Sequence, residues 1–334
     1  MSESRRGQQS TERPDVGATV MRLPDFFLVG NAKGGTTALY QMLRQHPDIY
    51  MPADKEPWYF ASELHERPPP RPGGTPETLG EYASFFEEAL PEQCVGEASV
   101  LYLWSKTAAQ AIFEVCPEAK IISILREPAI FLYSLHMQFM QDYVETEADF
   151  RAALALESER RAGRMIPRHT YWPKALLYSD HVRYVEQLQR FRDLFPAANV
   201  LTLIYEDFRR DNEATVREVL RFLELDPGAP ISAGEVNGSV GVRSQRAHDL
   251  VHAVTIGRGP VSSAVKEGVK AVTPERWRRR ALQAARDRFV FTDPLPPDQE
   301  IMLSLRRRFK GEVEELSEYL DRDLVSLWGY DDID

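Results

Sequence analysis

Cysteine is nearly absent from this chain: two in 334 residues, Cys94 and Cys116. Two thiols are too few for a disulfide framework, and neither sits at metal-ligand spacing. Cys94 borders an apolar run and Cys116 ends an apolar helical pattern, so both read as core thiols. Long hydrophobic runs are also missing. No stretch of 18 apolar residues exists to cross a bilayer, and the first 20 residues, MSESRRGQQSTERPDVGATV, lack the apolar segment of a secretory signal. They read as a disordered tail, and the expected location is the cytoplasm. Positive charge is in deficit: the net charge is −10, which argues against general nucleic-acid binding while leaving room for a local basic site. Arginine above lysine, with much alanine and leucine, suggests a bacterial, high-GC source.

What is present is a soluble-protein balance of 43% hydrophobic and 28% charged residues, arranged as strands alternating with helices. Apolar runs bounded by turn signals predict buried strands at 26–30, 93–97, 119–125 and 199–205. Helical periodicity predicts helices over 36–45, 79–89, 105–115, 128–141, 180–194, 213–223 and 303–320, with a short final one at 323–328. This alternation implies an α/β fold of three layers, a central parallel sheet flanked by helices. Ligands of such sheets bind beyond the carboxyl ends of the strands. Residues 64–78 form a Pro/Gly-rich surface loop. Residues 145–172 are charged and strandless and read as a helical cap. Residues 228–296, with the basic run Arg276–Arg280, are the least legible part. The expected organisation is the tail, then one domain over 21–334, with 145–172 and 228–296 as cap and acceptor-site segments.

The first constellation is Lys33-Gly34-Gly35-Thr36-Thr37, between an apolar strand and a helical pattern. Strand, glycine turn and helix make an anion cradle: free N–H groups and the helix dipole hold a phosphate, and the glycines let the backbone approach it. The order differs from G-x-x-x-x-G-K-[ST], where lysine directly precedes the hydroxyl. Here Lys33 precedes both glycines. A lysine there can sit between a phosphate and a group being transferred. The second constellation is Arg126-Glu127-Pro128 with Ser134 two turns into the helix that follows. A guanidinium plus a hydroxyl clamps a terminal phosphate, and Pro128 suits the first helical turn. A third is Lys55-Glu56-Pro57-Trp58-Tyr59-Phe60, one short connection after the first helix, whose Glu56 is a candidate base, a surface carboxylate or a partner of Lys55. A fourth is Gly96-Glu97-Ala98-Ser99-Val100-Leu101-Tyr102, with Glu97 a second candidate carboxylate or a structural one.

Phe26–Pro47 resembles the 5′-phosphosulfate loop of sulfotransferases that use 3′-phosphoadenosine 5′-phosphosulfate (PAPS), in their carbohydrate-type and bacterial branches. The Arg126…Ser134 spacing resembles the 3′-phosphate motif of that family, and Arg322–Trp328 resembles its R-D-L-x-x-x-W ending. The resemblance implies a P-loop-like sandwich that transfers SO3 from PAPS to a hydroxyl of a glycan, lipid or specialised metabolite, without a metal. It implies donor contacts from Lys33, Gly34, Gly35, Thr36, Thr37, Arg126 and Ser134. Where animal relatives have a glycine- and lysine-rich loop before the last helix, this chain has Phe291–Pro297 without basic residues; the Asn237–Ser244 segment either takes its place, with Arg243 reaching the 3′-phosphate, or is a plain turn. Lys33 would sit at the leaving phosphate and Glu56 would be the general base, with Lys55 tuning either. Glycan-sulfating relatives often carry a lysine where this chain has Ala98. Phenol- and steroid-type relatives use a histidine base. His46 reads here as a helix stop, His136 points away from Ser134, and His169, His181, His248 and His252 have no supporting motif. A small-molecule kinase and a non-catalytic nucleotide-binding protein are the alternatives. Nothing in the sequence fixes the acceptor or the oligomeric state.

Overall fold

A computed structural model describes residues 21–64, 75–168, 170–232 and 296–333, together with the backbone of two short strands at 241–242 and 291–292. Five strands form one sheet: β1 (Phe26–Gly30), β2 (Ile49–Tyr50), β3 (Cys94–Ala98), β4 (Lys120–Leu125) and β5 (Val200–Ile204). All pair in parallel, in the order β2-β3-β1-β4-β5. A separate antiparallel pair joins β6 (Gly241–Val242) to β7 (Phe291–Thr292). The described helices are α1 (Thr36–Leu43), α2 (Leu79–Ala83), α3 (Ala108–Val115), α4 (Pro128–Gln141), α5 (Phe150–Ala155), α6 (Glu157–Arg161), α7 (Tyr184–Arg192), α8 (Tyr205–Arg210), α9 (Asn212–Phe222), α10 (Gln299–Tyr319) and α11 (Leu324–Trp328).

The sheet is buried on both faces, which explains why its strands read as unbroken apolar runs. Along β1 the side chains alternate between two cores. Phe26 and Leu28 pack with Leu39 of α1 and Val216 of α9. Phe27 and Val29 pack with Ile112 of α3, Leu132 of α4, Leu188 of α7 and Leu305 of α10. The three expected layers are therefore present. The helix after β1 lies on one face and the helix after the neighbouring β4 on the other, so a crevice opens between the carboxyl ends of these two strands.

Element limits depart from the sequence reading where short-range bonds intervene. The 79–89 pattern is helical only to Ala83 and tightens into a 3₁₀ turn over Ser84–Phe86. The 105–115 pattern starts at Ala108, because the Ser105 hydroxyl accepts the amides of Thr107 and Ala108. The 180–194 pattern opens as a 3₁₀ turn, Tyr178–Val182, before α7. α10 begins at Gln299 because Asp298 caps it. The sequence pattern predicts neither β2 nor α8: one has two residues, and the other continues directly from a strand. Residues 145–172 hold α5 and α6. They are pinned by Arg160 donating to both oxygens of Glu145, at 2.6 and 2.8 Å. This pair is fully buried and bonded to Tyr178, which in turn meets His136 of α4. Burial of such a pair is tolerable because its remaining hydrogen-bonding capacity is used.

Gly96 faces Phe26 in the β1–β3 register. A Cβ there would lie 2.2 Å from the Phe26 ring, which is fully buried. Gly96→Ala should therefore cost about 1–3 kcal/mol by overpacking. Chemical denaturation would measure the loss; unchanged stability would mean that Phe26 has room to swing aside.

Candidate functional site

The crevice between β1 and β4 is where the lysine loop closes. The Asn31 amide donates to the Ile124 carbonyl at 2.8 Å, and the Gly34 amide to the Asn31 carbonyl at 3.2 Å. Gly34 presses so closely on β4 that a Cβ would come within 2.7 Å of the Ile124 oxygen. Gly35 adopts φ 88°, a left-handed conformation that glycine enters without steric cost. α1 then starts with no side-chain cap and no acidic residue in its first turn. Its leading N–H groups are left for an anion.

Arg126 leaves β4 beside this loop. One guanidinium nitrogen donates to the Lys33 carbonyl at 3.1 Å and to the Ser134 hydroxyl at 3.2 Å. The guanidinium lies 4.5 Å from the centre of the Tyr205 ring, and its buried Nε has no hydrogen-bond partner. The Lys33 ammonium donates to Gln138 Oε1 at 3.2 Å, and the Gln138 amide passes on to Asp142 at 2.9 Å. Burial pushes the Lys33 ammonium below the ordinary lysine range; Asp142 opposes this and Arg126 adds to it. Ser134 and Gln138, four residues apart on α4, share one helix face. That face meets both motif cations. Gln138 escaped the sequence reading; its only signal was this spacing from Ser134.

The Glu56 segment runs past the end of β3. Its backbone is anchored there: the Glu56 amide donates to the Ala98 carbonyl at 3.1 Å and the Trp58 amide to the Ser99 hydroxyl at 3.1 Å. Glu56 and Trp58 both take positive φ, 65° and 52°, a conformation that side chains other than glycine rarely adopt. The Trp58 indole donates to Glu56 Oε2 at 3.1 Å. Lys55 Nζ stands 3.6 Å from Glu56 Oε1 and 3.4 Å from the hydroxyls of both Thr36 and Thr37. Lys55 therefore links the start of α1 to Glu56.

Gly96-Glu97-Ala98-Ser99 is thus the anchoring edge for the Glu56 segment. Glu97 itself is fully buried; Tyr82 donates to its Oε2 at 3.3 Å, and Oε1 has no partner. Burial pushes its carboxyl up to about 7. Hydrogen bonds from Ser99, Tyr102 and Tyr82 oppose the rise, and the Glu56 charge adds to it.

The described histidines lie in other networks. His46 bonds the Asp226 carbonyl and His136 meets Tyr178. His181, pushed down to about 4 by burial, stacks on Trp104 and bonds the Ala175 carbonyl. His169, His248, His252, Arg243, the Arg276–Arg280 run, the first 20 residues and 65–74 lie outside the described residues. Among the described residues, no helix is long and apolar enough to cross a membrane.

Glu97 yields a pH prediction. Its folded pKa lies above the ordinary value of 4.5, so between about 4.5 and 7 the folded chain keeps a proton that the unfolded chain releases. Its contribution to stability is present in acid and is lost as pH rises through that window. Glu97→Gln is isosteric with the protonated acid. It should flatten the fall in Tm across that window and raise Tm above neutrality. An unchanged slope would assign the proton to another group.

Comparison with known proteins fits this geometry. The model of the Sulfotransferase family matches residues 24–227, more than half of the chain. A sulfotransferase crystal structure from Alicyclobacillus acidocaldarius is 30% identical, with a TM-score of 0.56, covering 77% of this chain and 100% of its own. Heparan sulfate glucosamine 3-O-sulfotransferase 3B1 of Mus musculus is 26% identical over 230 residues, which is 65% of this chain and 53% of that protein. Membrane-associated sulfotransferase kil1 of Dictyostelium discoideum is 30% identical over 128 residues, 36% of this chain and 25% of that protein. The chain spans between a quarter and about half the length of these curated relatives. With a parallel sheet, a glycine cradle beside β4 and a family match over most of that core, this chain belongs to the sulfotransferase family.

Proposed function

We propose that this chain binds PAPS and transfers its sulfuryl group to a hydroxyl of a glycan, lipid or specialised metabolite. The observation that carries the reading is the convergence of two cationic motifs 93 positions apart, joined by the bond from Arg126 to the Lys33 carbonyl. A nucleotide with phosphate on both sides of its ribose needs two such anion sites close together. In this reading Gly34 lets the loop lie close against β4, and the Gly35 amide, the Lys33 ammonium and the hydroxyls of Thr36 and Thr37 hold the 5′-phosphosulfate. Arg126 and Ser134 hold the 3′-phosphate, and the partnerless Arg126 Nε supports an awaited acceptor there. Arg243 is assigned to the same phosphate.

Chemistry follows from the arrangement. The acceptor oxygen attacks sulfur while the bond from sulfur to the 5′-phosphate oxygen breaks, in line. Glu56 takes the hydroxyl proton, and Lys33 with the loop amides stabilises the charge that develops on the departing phosphate. Adenosine 3′,5′-bisphosphate leaves. Lys55, between Glu56 and the two threonines, ties the carboxylate to the start of α1. Charge compensation in this scheme comes from side chains and amides alone. Residues 21–334 are taken as one catalytic unit, with 145–172 and 228–296 on the acceptor side. A bacterial cytoplasmic setting belongs to the same reading, supported by two unpaired thiols and arginine-rich composition.

The direct test offers the protein PAPS, or ATP with magnesium, and a panel of hydroxyl acceptors, scored by product mass. A gain of one sulfate from PAPS supports the reading. A gain of phosphate from ATP would make it a kinase, and PAPS binding without turnover on any acceptor would make it a binding protein.

Two sets of variants refine it. Lys33→Ala should lose on the order of a hundredfold in turnover while remaining folded. Glu56→Gln should lose roughly 10²–10⁴ with PAPS affinity nearly unchanged. Survival of turnover in Glu56→Gln would move the base to another group.

Arg126→Ala should weaken adenosine 3′,5′-bisphosphate by about 1.5–3 kcal/mol, the value of a charge-assisted phosphate contact, and weaken adenosine 5′-phosphate less, through the lost bond to the Lys33 carbonyl alone. Calorimetric titration of both nucleotides decides; equal weakening would make Arg126 structural.

A further inference from the structure

The C-terminal segment 322–330 has no part in the scheme above, yet its bonds reach Glu206 and Asp207, which follow Tyr205 on α8, and Glu127, which follows Arg126. Tyr205, whose ring lies against that guanidinium, is the first residue of α8. The next two residues of α8 are held from the C-terminus. Glu206 accepts the Trp328 indole N–H at 2.8 Å, and Asp207 pairs with Arg322. The residue after Arg126 is held from the same direction. Glu127 accepts the Tyr330 hydroxyl at 2.6 Å and lies 3.4 Å from Arg306 Nε of α10. Glu127 also caps α4 through the Ile130 amide at 2.7 Å, and α4 carries Ser134.

Local structure explains how a short tail reaches both places. Asp323 caps α11, whose five residues end at Gly329 in a left-handed conformation. The reversal buries Tyr330 completely and leaves Trp328 5% exposed. Trp328 and Tyr330 thus enter the core two residues apart, one toward α8 and the other toward the start of α4. Both deliver a hydrogen bond to a carboxylate adjoining the clamp. Burial of Glu127, only 1% exposed, makes its donors costly to remove.

We propose that Arg322, Trp328 and Tyr330 are positioning residues for recognition of the donor's 3′-phosphate. They form a brace that fixes Tyr205 from α8 and Arg126 from Glu127, so that the guanidinium is held at one orientation before the nucleotide arrives. This rests on the assignment of Arg126 and Ser134 to the 3′-phosphate. The brace bonds the neighbours of Arg126, so its loss should degrade the discrimination between nucleotides with and without that phosphate, and spare the lysine loop.

The experiment measures, by calorimetry, the ratio of Kd for adenosine 5′-phosphate to that for adenosine 3′,5′-bisphosphate. The variants are Trp328→Phe, Tyr330→Phe, Glu206→Leu and Glu206→Gln, each with a thermal melt. Glu206→Gln keeps an oxygen for the Trp328 indole and should retain the wild-type ratio within about twofold. The other three should lower the ratio by roughly tenfold, the scale of loss when a supporting contact lets a binding group drift, with adenosine 5′-phosphate affinity unchanged. An unchanged ratio in the folded variants overturns the brace. Parallel weakening of both nucleotides also overturns it, because a purely structural role predicts that. If Trp328→Phe does not fold, the two Glu206 variants decide. A wild-type protein indifferent to the 3′-phosphate would instead defeat the donor assignment itself, and the brace with it.

Discussion

The bond from Arg126 to the main-chain carbonyl of Lys33 is the contact around which the candidate site is organised. It joins the loop after the central strand to the end of the adjacent strand. It is possible only because Gly34 lets the loop lie against the Ile124 carbonyl. A side chain at position 34 would lift the loop away from β4, and the two cationic motifs would part. The parallel sheet is the reason those motifs can meet at all. Strands far apart in sequence become neighbours with their carboxyl ends aligned, and helices on opposite faces leave the crevice between them open.

Gathering cations in a half-buried crevice is unfavourable without anions, and the fold offsets that cost in distinct ways. Lys33, whose charge is disfavoured by burial, leans on Gln138 and through it on Asp142. Arg126 spends one nitrogen on the loop and on Ser134, and its face on Tyr205. Lys55 is shared between Glu56 and two threonine hydroxyls. Each cation is oriented, and the first turn of α1 still has no cap of its own. Such an arrangement suits the polyanion proposed above, because its donors are already oriented.

Glu56 and Glu97 show how two nearby carboxyls diverge by environment. Glu56 is partly exposed and close to a lysine and an indole N–H. Glu97 is fully enclosed with one oxygen unpartnered, and its proton is retained to about neutrality. The segment that carries Glu56 hangs on Ala98 and Ser99, immediately after Glu97. The same short stretch therefore holds the backbone of one carboxylate and buries the other.

The sequence by itself determined the elements whose signals are local. β1 and α4 have the limits that apolar runs and Pro128 indicate, and the lysine loop and the Arg126–Ser134 spacing stand at the strand ends where the alternation put them. It could not determine α8, because Tyr205-Glu206-Asp207 carries no helical periodicity. That helix has six residues, and Glu206 and Asp207 on it are held by Trp328 and Arg322, more than a hundred positions away. Gln138, the bridging place of Lys55 and the burial of Glu97 were equally closed to it. Each depends on which side chains from distant segments come within hydrogen-bonding distance, and on how much water is excluded there. Periodicity reports which face of an element is covered; only the packed structure decides what covers it.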